Sequence, residues 1–178
     1  MNTYISILRG INVSGQKKIL MIDLTELYKS LKFTNINTYI QSGNVTFKAD
    51  AKLSDNEISA KISKAILKKY AFEVPVLVRT IAEMEKVITE NPFKKESDER
   101  LYVTFLDQIP SKENTDKLKG IDFPQDKFIL KDKSIYLHCI SYGNTKLSNN
   151  FFENKLKVTA TTRNWKTVNK LLAMAKEL

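Results

Sequence analysis

The order in which strand-like and helix-like stretches follow one another over residues 1–80 leaves this chain little freedom of fold. "TYISIL" (Thr3 to Leu8) is β-branched, apolar, short and soon followed by a glycine, the pattern of a buried strand. Leu24, Leu27, Tyr28 and Leu31 stand at i, i+3, i+4 and i+7, which predicts an amphipathic helix over residues 21–32. "INTYIQ" and "NVTFK" predict two strands joined by a hairpin turn at Ser42-Gly43. Ser54 and Glu57 form a capping box that opens a helix whose Ile58, Ile62, Ile66 and Tyr70 recur every fourth residue. "VPVLVRT" predicts the next strand, with Pro75 at its beginning, where a missing N–H is tolerated. The sum, β-α-β-β-α-β, is the split βαβ order of a ferredoxin-like plait.

The second half begins the same way. Thr80 and Glu83 form a second capping box, opening a helix to about Glu90, and "NPFKKESDE" is a polar connector suited to a subdomain boundary. A strand ("LYVTFL"), a helix near Glu113 to Leu118, and strands "KFIL" and "SIYLHCI" turning at Asp132-Lys133 follow. Next come a helix around Ser148 to Leu156, a short extended segment near Val158, and a last helix expected from about Arg163. Its apolar face carries Trp165, Val168, Leu171, Leu172 and Ala175. The expected fold is therefore α+β: two ferredoxin-like subdomains packed together, with antiparallel sheets and helices on one face. Residues 1–80 form the first subdomain, and 81–178 a second with an extra C-terminal helix. Only the element order suggests duplication; no residue-level repeat accompanies it.

Composition narrows function mainly by exclusion. No apolar run approaches the ~20 residues of a membrane span, so no membrane partner is expected. "MNTYISILRG" has neither a basic leader nor a small-residue cleavage site. One cysteine, Cys139, excludes an intramolecular disulfide and any cysteine-cluster metal site, and points to the cytoplasm. With one histidine, adjacent to that cysteine on a strand and so on the opposite face, His-dependent triads and Cys/His metal sites lose support. No metal or cofactor is expected. The formal charge of +9 hints at a polyanion, but the lysines are scattered over helices. Arginine is scarce, four against 25 lysines, and in such a chain it marks places that need a planar five-donor fork.

"RGINVSGQKK" (Arg9 to Lys18) raises the question of a phosphate loop. Gln16 stands where a Walker A loop needs lysine, and no Ser/Thr follows at the metal position, so that signature fails. A weaker possibility survives, an anion held at the start of the following helix by Arg9, Lys17, Lys18, Asn12 and Ser14. In a split βαβ unit the ends of strands one and two and the start of strand three share one sheet edge. "RGIN" should therefore lie beside the turn "QSGN", where Gly43 either admits a ligand or another backbone or merely serves the turn. "TTRN" (Thr161 to Asn164) is the third polar stretch: Thr162 is expected to cap the last helix and Arg163 to lie in its first turn. The RNA-recognition signature is missing from "SGNVTFK", although Tyr4, Tyr39 and Phe47 fall on the corresponding strands.

"LRGINVSG", "TYIQSGNVTF", "YVTFL" and "TTRNWKTVNKL", in that order from Thr3 to Leu172, closely resemble the bacterial family called domain of unknown function 1697. Ser14 departs from that family's usual "NVGG". The resemblance implies two packed plait subdomains and no activity. By match to its motifs and by the shared sheet edge, the candidate ligand-binding residues are Arg9, Gly10, Asn12, Gln41, Ser42, Gly43, Asn44, Arg163 and Asn164, with Trp165 also to be tested. The leading expectation is a binding protein whose RGIN, QSGN and TTRN stretches form a cleft for an anion or phosphate-bearing small molecule. The alternatives are a metal-independent group-transfer or hydrolytic enzyme in the same cleft, a nucleic-acid-binding module, and a purely structural seam. In a seam, Asn12 and Arg163 should be buried with their donors used by the protein.

Overall fold

The computed structural model describes all residues from Met1 to Leu178. The chain divides into two compact units, Met1–Lys86 with Lys170–Leu178, and Val87–Asn169.

In the first unit, β1 (Asn2–Leu8), β2 (Thr34–Tyr39), β3 (Asn44–Ala49) and β4 (Val76–Thr80) form an antiparallel sheet of order β2-β3-β1-β4. Helices α1 (Met21–Ser30) and α2 (Asp55–Tyr70) supply the crossovers. Alternation along the strands sends Tyr4, Leu8, Val45, Phe47, Val76 and Val78 to the helix-covered face, where they bury against Leu24, Leu27 and Tyr28 of α1 and Ile58, Ile62 and Ile66 of α2. The expected capping box is formed: Glu57 N–H donates to Ser54 Oγ (3.3 Å) and Ser54 N–H to Glu57 Oε2 (2.8 Å). Two hydroxyls one helical turn apart on α2 then cover carbonyls of the edge strand and its approach. Ser59 Oγ donates to Val76 O (2.5 Å) and Ser63 Oγ to Val74 O (2.9 Å).

The second unit repeats this topology. Its strands β5 (Leu101–Leu106), β6 (Lys127–Lys131), β7 (Ser134–His138) and β8 (Ala160–Asn164) are ordered β6-β7-β5-β8, all antiparallel. Helices α4 (Lys112–Asp116) and α5 (Asn149–Leu156) occupy the crossovers, while α3 (Ile81–Thr89) follows β4 and α6 (Trp165–Lys176) follows β8. The repeat extends to register. Ile7 faces Asn44 and Leu77 as Phe105 faces Ser134 and Thr161, and Ile5 faces Arg79 as Val103 faces Arg163. Leu8 N–H donates to Gly43 O and Arg9 N–H to Pro75 O; Leu106 N–H donates to Lys133 O and Asp107 N–H to Thr159 O. The extended segment expected near Val158 is thus a full edge strand, and it completes a second β-α-β-β-α-β plait.

One expectation is corrected here. Arg163 is not in the first turn of the last helix, and Thr162 is not its cap. Residues Ala160–Asn164 pair with β5, Thr162 Oγ1 donates to Asn149 Oδ1 of α5 (2.7 Å), and the helix starts at Trp165. Asn164 is the cap, accepting from Thr167 N–H through Oδ1 (2.8 Å). The β-branched pair Thr161-Thr162 suits a strand, and asparagine caps as well as threonine does.

Candidate functional site

The strand directions bring two polar turns together at one end of the first sheet. After β1 the chain forms a miniature hairpin: Asn12 N–H donates to Lys17 O (3.2 Å) and Gln16 N–H to Val13 O (2.9 Å). Ser14 and Gly15 hold φ of 50° and 72°, the signs a type I′ turn requires. The stretch expected to cradle phosphate is therefore a self-closed turn, and α1 begins only at Met21, with Leu20 as an N-cap that supplies no side-chain acceptor.

Asn12 fastens this hairpin to its surroundings. Its Nδ2 donates to Ile19 O (2.9 Å) and to Gln41 O (2.8 Å), and its Oδ1 accepts from Ile19 N–H (2.9 Å). Three segments distant in sequence meet on one half-buried side chain. In the facing turn, buried Asn44 donates from Nδ2 to Tyr39 O (3.1 Å) and Ser42 Oγ (2.9 Å). Gly43 has φ of +77°, and a Cβ there would fall 2.6 Å from Leu8 Cβ and 2.9 Å from Ile11 Cδ1. It is the side chains of β1 and its loop that approach this glycine. Gly10 differs: φ is +71°, but nothing lies within 4 Å of a Cβ built there. Arg9 is half-buried, the Gln41 side chain is exposed, and Lys17 Nζ donates to Glu73 O (2.7 Å).

Seven of the nine sequence candidates, Arg9, Gly10, Asn12, Gln41, Ser42, Gly43 and Asn44, thus share one sheet end. Arg163 and Asn164 lie on β8 of the second unit. Arg163 Nη1 donates to Thr161 Oγ1 (3.0 Å) and Thr162 O (2.9 Å), and burial pushes its guanidinium down to about 10, Tyr142 acting weakly the other way.

Arg79 is a residue the sequence reasoning passed over. Buried on β4, it donates from Nη1 to Val78 O (2.8 Å), as Arg163 does to Thr162 O. Each arginine lies on the sheet face opposite the crossover helices, one residue before the cap of the next helix. Thr80 accepts from Glu83 N–H (3.2 Å) as Asn164 does from Thr167 N–H. The signal was present in "VRT" and "TRN", an arginine ending a strand just before a capping residue.

Apart from Glu57, which the exposed Ser54 capping box holds below its ordinary value, the other shifted groups belong to the cores. Burial raises the Tyr28 phenol well above its ordinary value against a hydrogen bond with Ser6 Oγ (2.8 Å). Burial likewise raises Tyr136, with Glu90 and Asp132 adding to it, and Cys139, to about 11, with Asp126 adding to it. Tyr4 and Phe47, on strands where an RNA-binding plait stacks bases, are packed under the helices with ring centroids 6.1 Å apart. No three His, Cys, Asp or Glu side chains are grouped to hold a metal ion.

Comparison with known proteins adds the fold and a family. A structure of the conserved bacterial protein SP0830 from Streptococcus pneumoniae matches with a TM-score of 0.71 at 19% identity, covering 97% of this chain and 98% of that one. No curated protein matches. The family model described as protein of unknown function (DUF1697) matches residues 1–136. By that match the chain belongs to the DUF1697 family.

Proposed function

We propose that the turn end of the first sheet accepts the anionic group of a phosphate-bearing ligand. The observation that carries the reading is the start of α1: its N-cap, Leu20, offers no side-chain acceptor to the first-turn N–H groups, and a basic loop precedes them. Between Arg9 and Ile22 there are three basic residues and no acidic one, and Gly10 leaves the backbone open to close approach. Asp23, in the first turn of α1, is the one carboxylate that opposes an anion from the helix itself. Asn12, Gly43 and Asn44 act as the frame of this surface. A single buried, free thiol fits a cytoplasmic setting for it.

The test is a thermal-shift comparison of wild type, Arg9→Ala, Lys18→Ala and the double variant with pyrophosphate, nucleotides and sugar phosphates. A ligand that stabilises wild type and loses its effect in the variants supports the reading. Undiminished binding by the double variant refutes it. A second reading, nucleic-acid binding, is favoured by one observation: Lys61, Lys64 and Lys68 stand at i, i+3 and i+7 on the exposed side of α2. It requires affinity that falls steeply with salt.

A further inference from the structure

The same sheet end carries an unusual share of exposed aliphatic surface. Val13 (58% exposed), Leu20 (66%), Ile22 (71%) and Ile40 (52%) are four of the nine large apolar side chains left in solvent by the whole chain. They are not scattered. The Asn12 side chain binds the carbonyls of Ile19 and Gln41, so the segments bearing Val13, Leu20 and Ile40 are fastened to one another, and Ile22 follows two residues after Leu20. Lys18 is exposed among them, with Arg9 and Lys17 half-buried alongside, and Lys69 reaches Asp23 O at the start of α1 (3.4 Å). Four exposed aliphatic side chains on segments fastened to one another, with cations on the same segments, are costly in water and mark an interaction surface.

We propose that this edge seats on an anionic phospholipid surface, the four aliphatic side chains entering the headgroup–acyl boundary while Arg9, Lys17 and Lys18 meet lipid phosphates. The inference rests on the anion-accepting reading above and names the ligand class. Composition selects lipid over a protein partner. Protein interfaces are enriched in Tyr, Trp and Arg and depleted in lysine, whereas the exposed residues of 9–22 and 40–44 are four aliphatic side chains and Lys18 among glycines and neutral polar residues, with no aromatic ring. Aliphatic residues bordered by lysines suit the interfacial zone of a charged bilayer, where each cation adds to the hold. Such a seat needs no spanning helix, and no helix here is long and apolar enough to be one.

The experiment is co-sedimentation of the full chain with vesicles of phosphatidylcholine alone and of phosphatidylcholine with about one-third phosphatidylglycerol, for wild type, Leu20→Ser/Ile22→Ser and Lys18→Ala. All three substituted residues are exposed, and circular dichroism checks that each variant is folded. The expected result is binding to the anionic vesicles only, weakened about fivefold by Lys18→Ala and about tenfold or more by the double serine variant. Absence of vesicle binding overturns the inference; if pyrophosphate still stabilises the protein, the anion-accepting reading survives it. Vesicle binding untouched by the serine substitutions, or equal on neutral vesicles, overturns it as well. So does a dimer in sedimentation velocity that those substitutions dissolve, because the occupant is then a second copy.

Discussion

Replacing Gly43 with alanine separates two demands on a glycine that the first unit also presents singly, at Gly10. Both positions hold positive φ, +71° and +77°, where an L side chain costs about 1–2 kcal/mol. Both substitutions recover about 0.4–1 kcal/mol by restricting the unfolded chain. At Gly10 the new methyl group meets nothing within 4 Å, so the net cost should be about 1 kcal/mol. At Gly43 the methyl would stand 2.6 Å from Leu8 Cβ, a backbone-anchored atom that moves only with β1, and 2.9 Å from Ile11 Cδ1. Overpacking of that kind adds about 1–3 kcal/mol, bringing Gly43→Ala to about 2–4 kcal/mol. Urea unfolding followed by far-ultraviolet circular dichroism measures both variants under one slope assumption. Equal losses would refute the argument, since they would mean that conformation alone, and not the close approach of β1, fixes glycine at this turn.

Three further outcomes follow from the same geometry. Asn12→Ala removes two donors and one acceptor that join three segments, at about 0.5–1.5 kcal/mol each, and leaves alanine at a φ of 56°; equilibrium unfolding should show a loss of about 2–4 kcal/mol. Glu57 is held below its ordinary value by the Ser54 N–H and hydroxyl, so the stability it confers is present above the unfolded carboxylate range and lost as pH falls through the lowered folded value. Glu57→Gln, which removes the titrating carboxylate, should flatten that acid limb in a pH series of unfolding midpoints, and an unchanged limb would show that the box is not the source. Cys139 is fully buried with its thiol pushed up to about 11, so a disulfide reagent at pH 8 should modify it at the rate of global opening; a rapid burst of labelling would refute the burial.

How much of this was legible in the sequence depended on the range of the interaction. Periodicity and capping are local, so Ile58, Ile62 and Ile66 marked α2, and Ser54 with Glu57 and Thr80 with Glu83 marked helix starts that the structure contains. The meeting of RGIN with QSGN followed from topology alone, because strand directions in a split βαβ unit leave those turns nowhere else to go. What the residues do there was hidden. Asn12 reaches a carbonyl 29 positions away, and the room denied to Gly43 is taken by Leu8 and Ile11, which no local pattern reveals. "TTRN" was misassigned because Thr162 and Asn164 are both good caps. Pairing with Thr104 and Tyr102 of β5, roughly sixty residues earlier, decides between them. Arg79 was passed over because a strand of valines and leucine reads as core, and its likeness to Arg163 shows only once the two registers are aligned.

That matched register gives the molecule an internal reference. Wherever both plaits keep a feature, the fold itself asks for it: the strand-end arginine, the cap after it, the carbonyl that receives Leu8 and Leu106 N–H. Where only one keeps it, that copy's own contacts ask for it. The position before β7 that corresponds to Gly43 is Lys133, on a two-residue turn between Lys131 and Ser134, and the residue four after Leu106, where Asn12 stands four after Leu8, is Pro110, whose side chain has no hydrogen-bonding group. The plait closes well without the locked pair of turns. Their presence in the first copy is therefore an addition to the architecture, and the exposed residues that these turns hold, rather than Asn12 and Gly43 themselves, are where mutational scanning should find positions that tolerate folding yet fail in the cell.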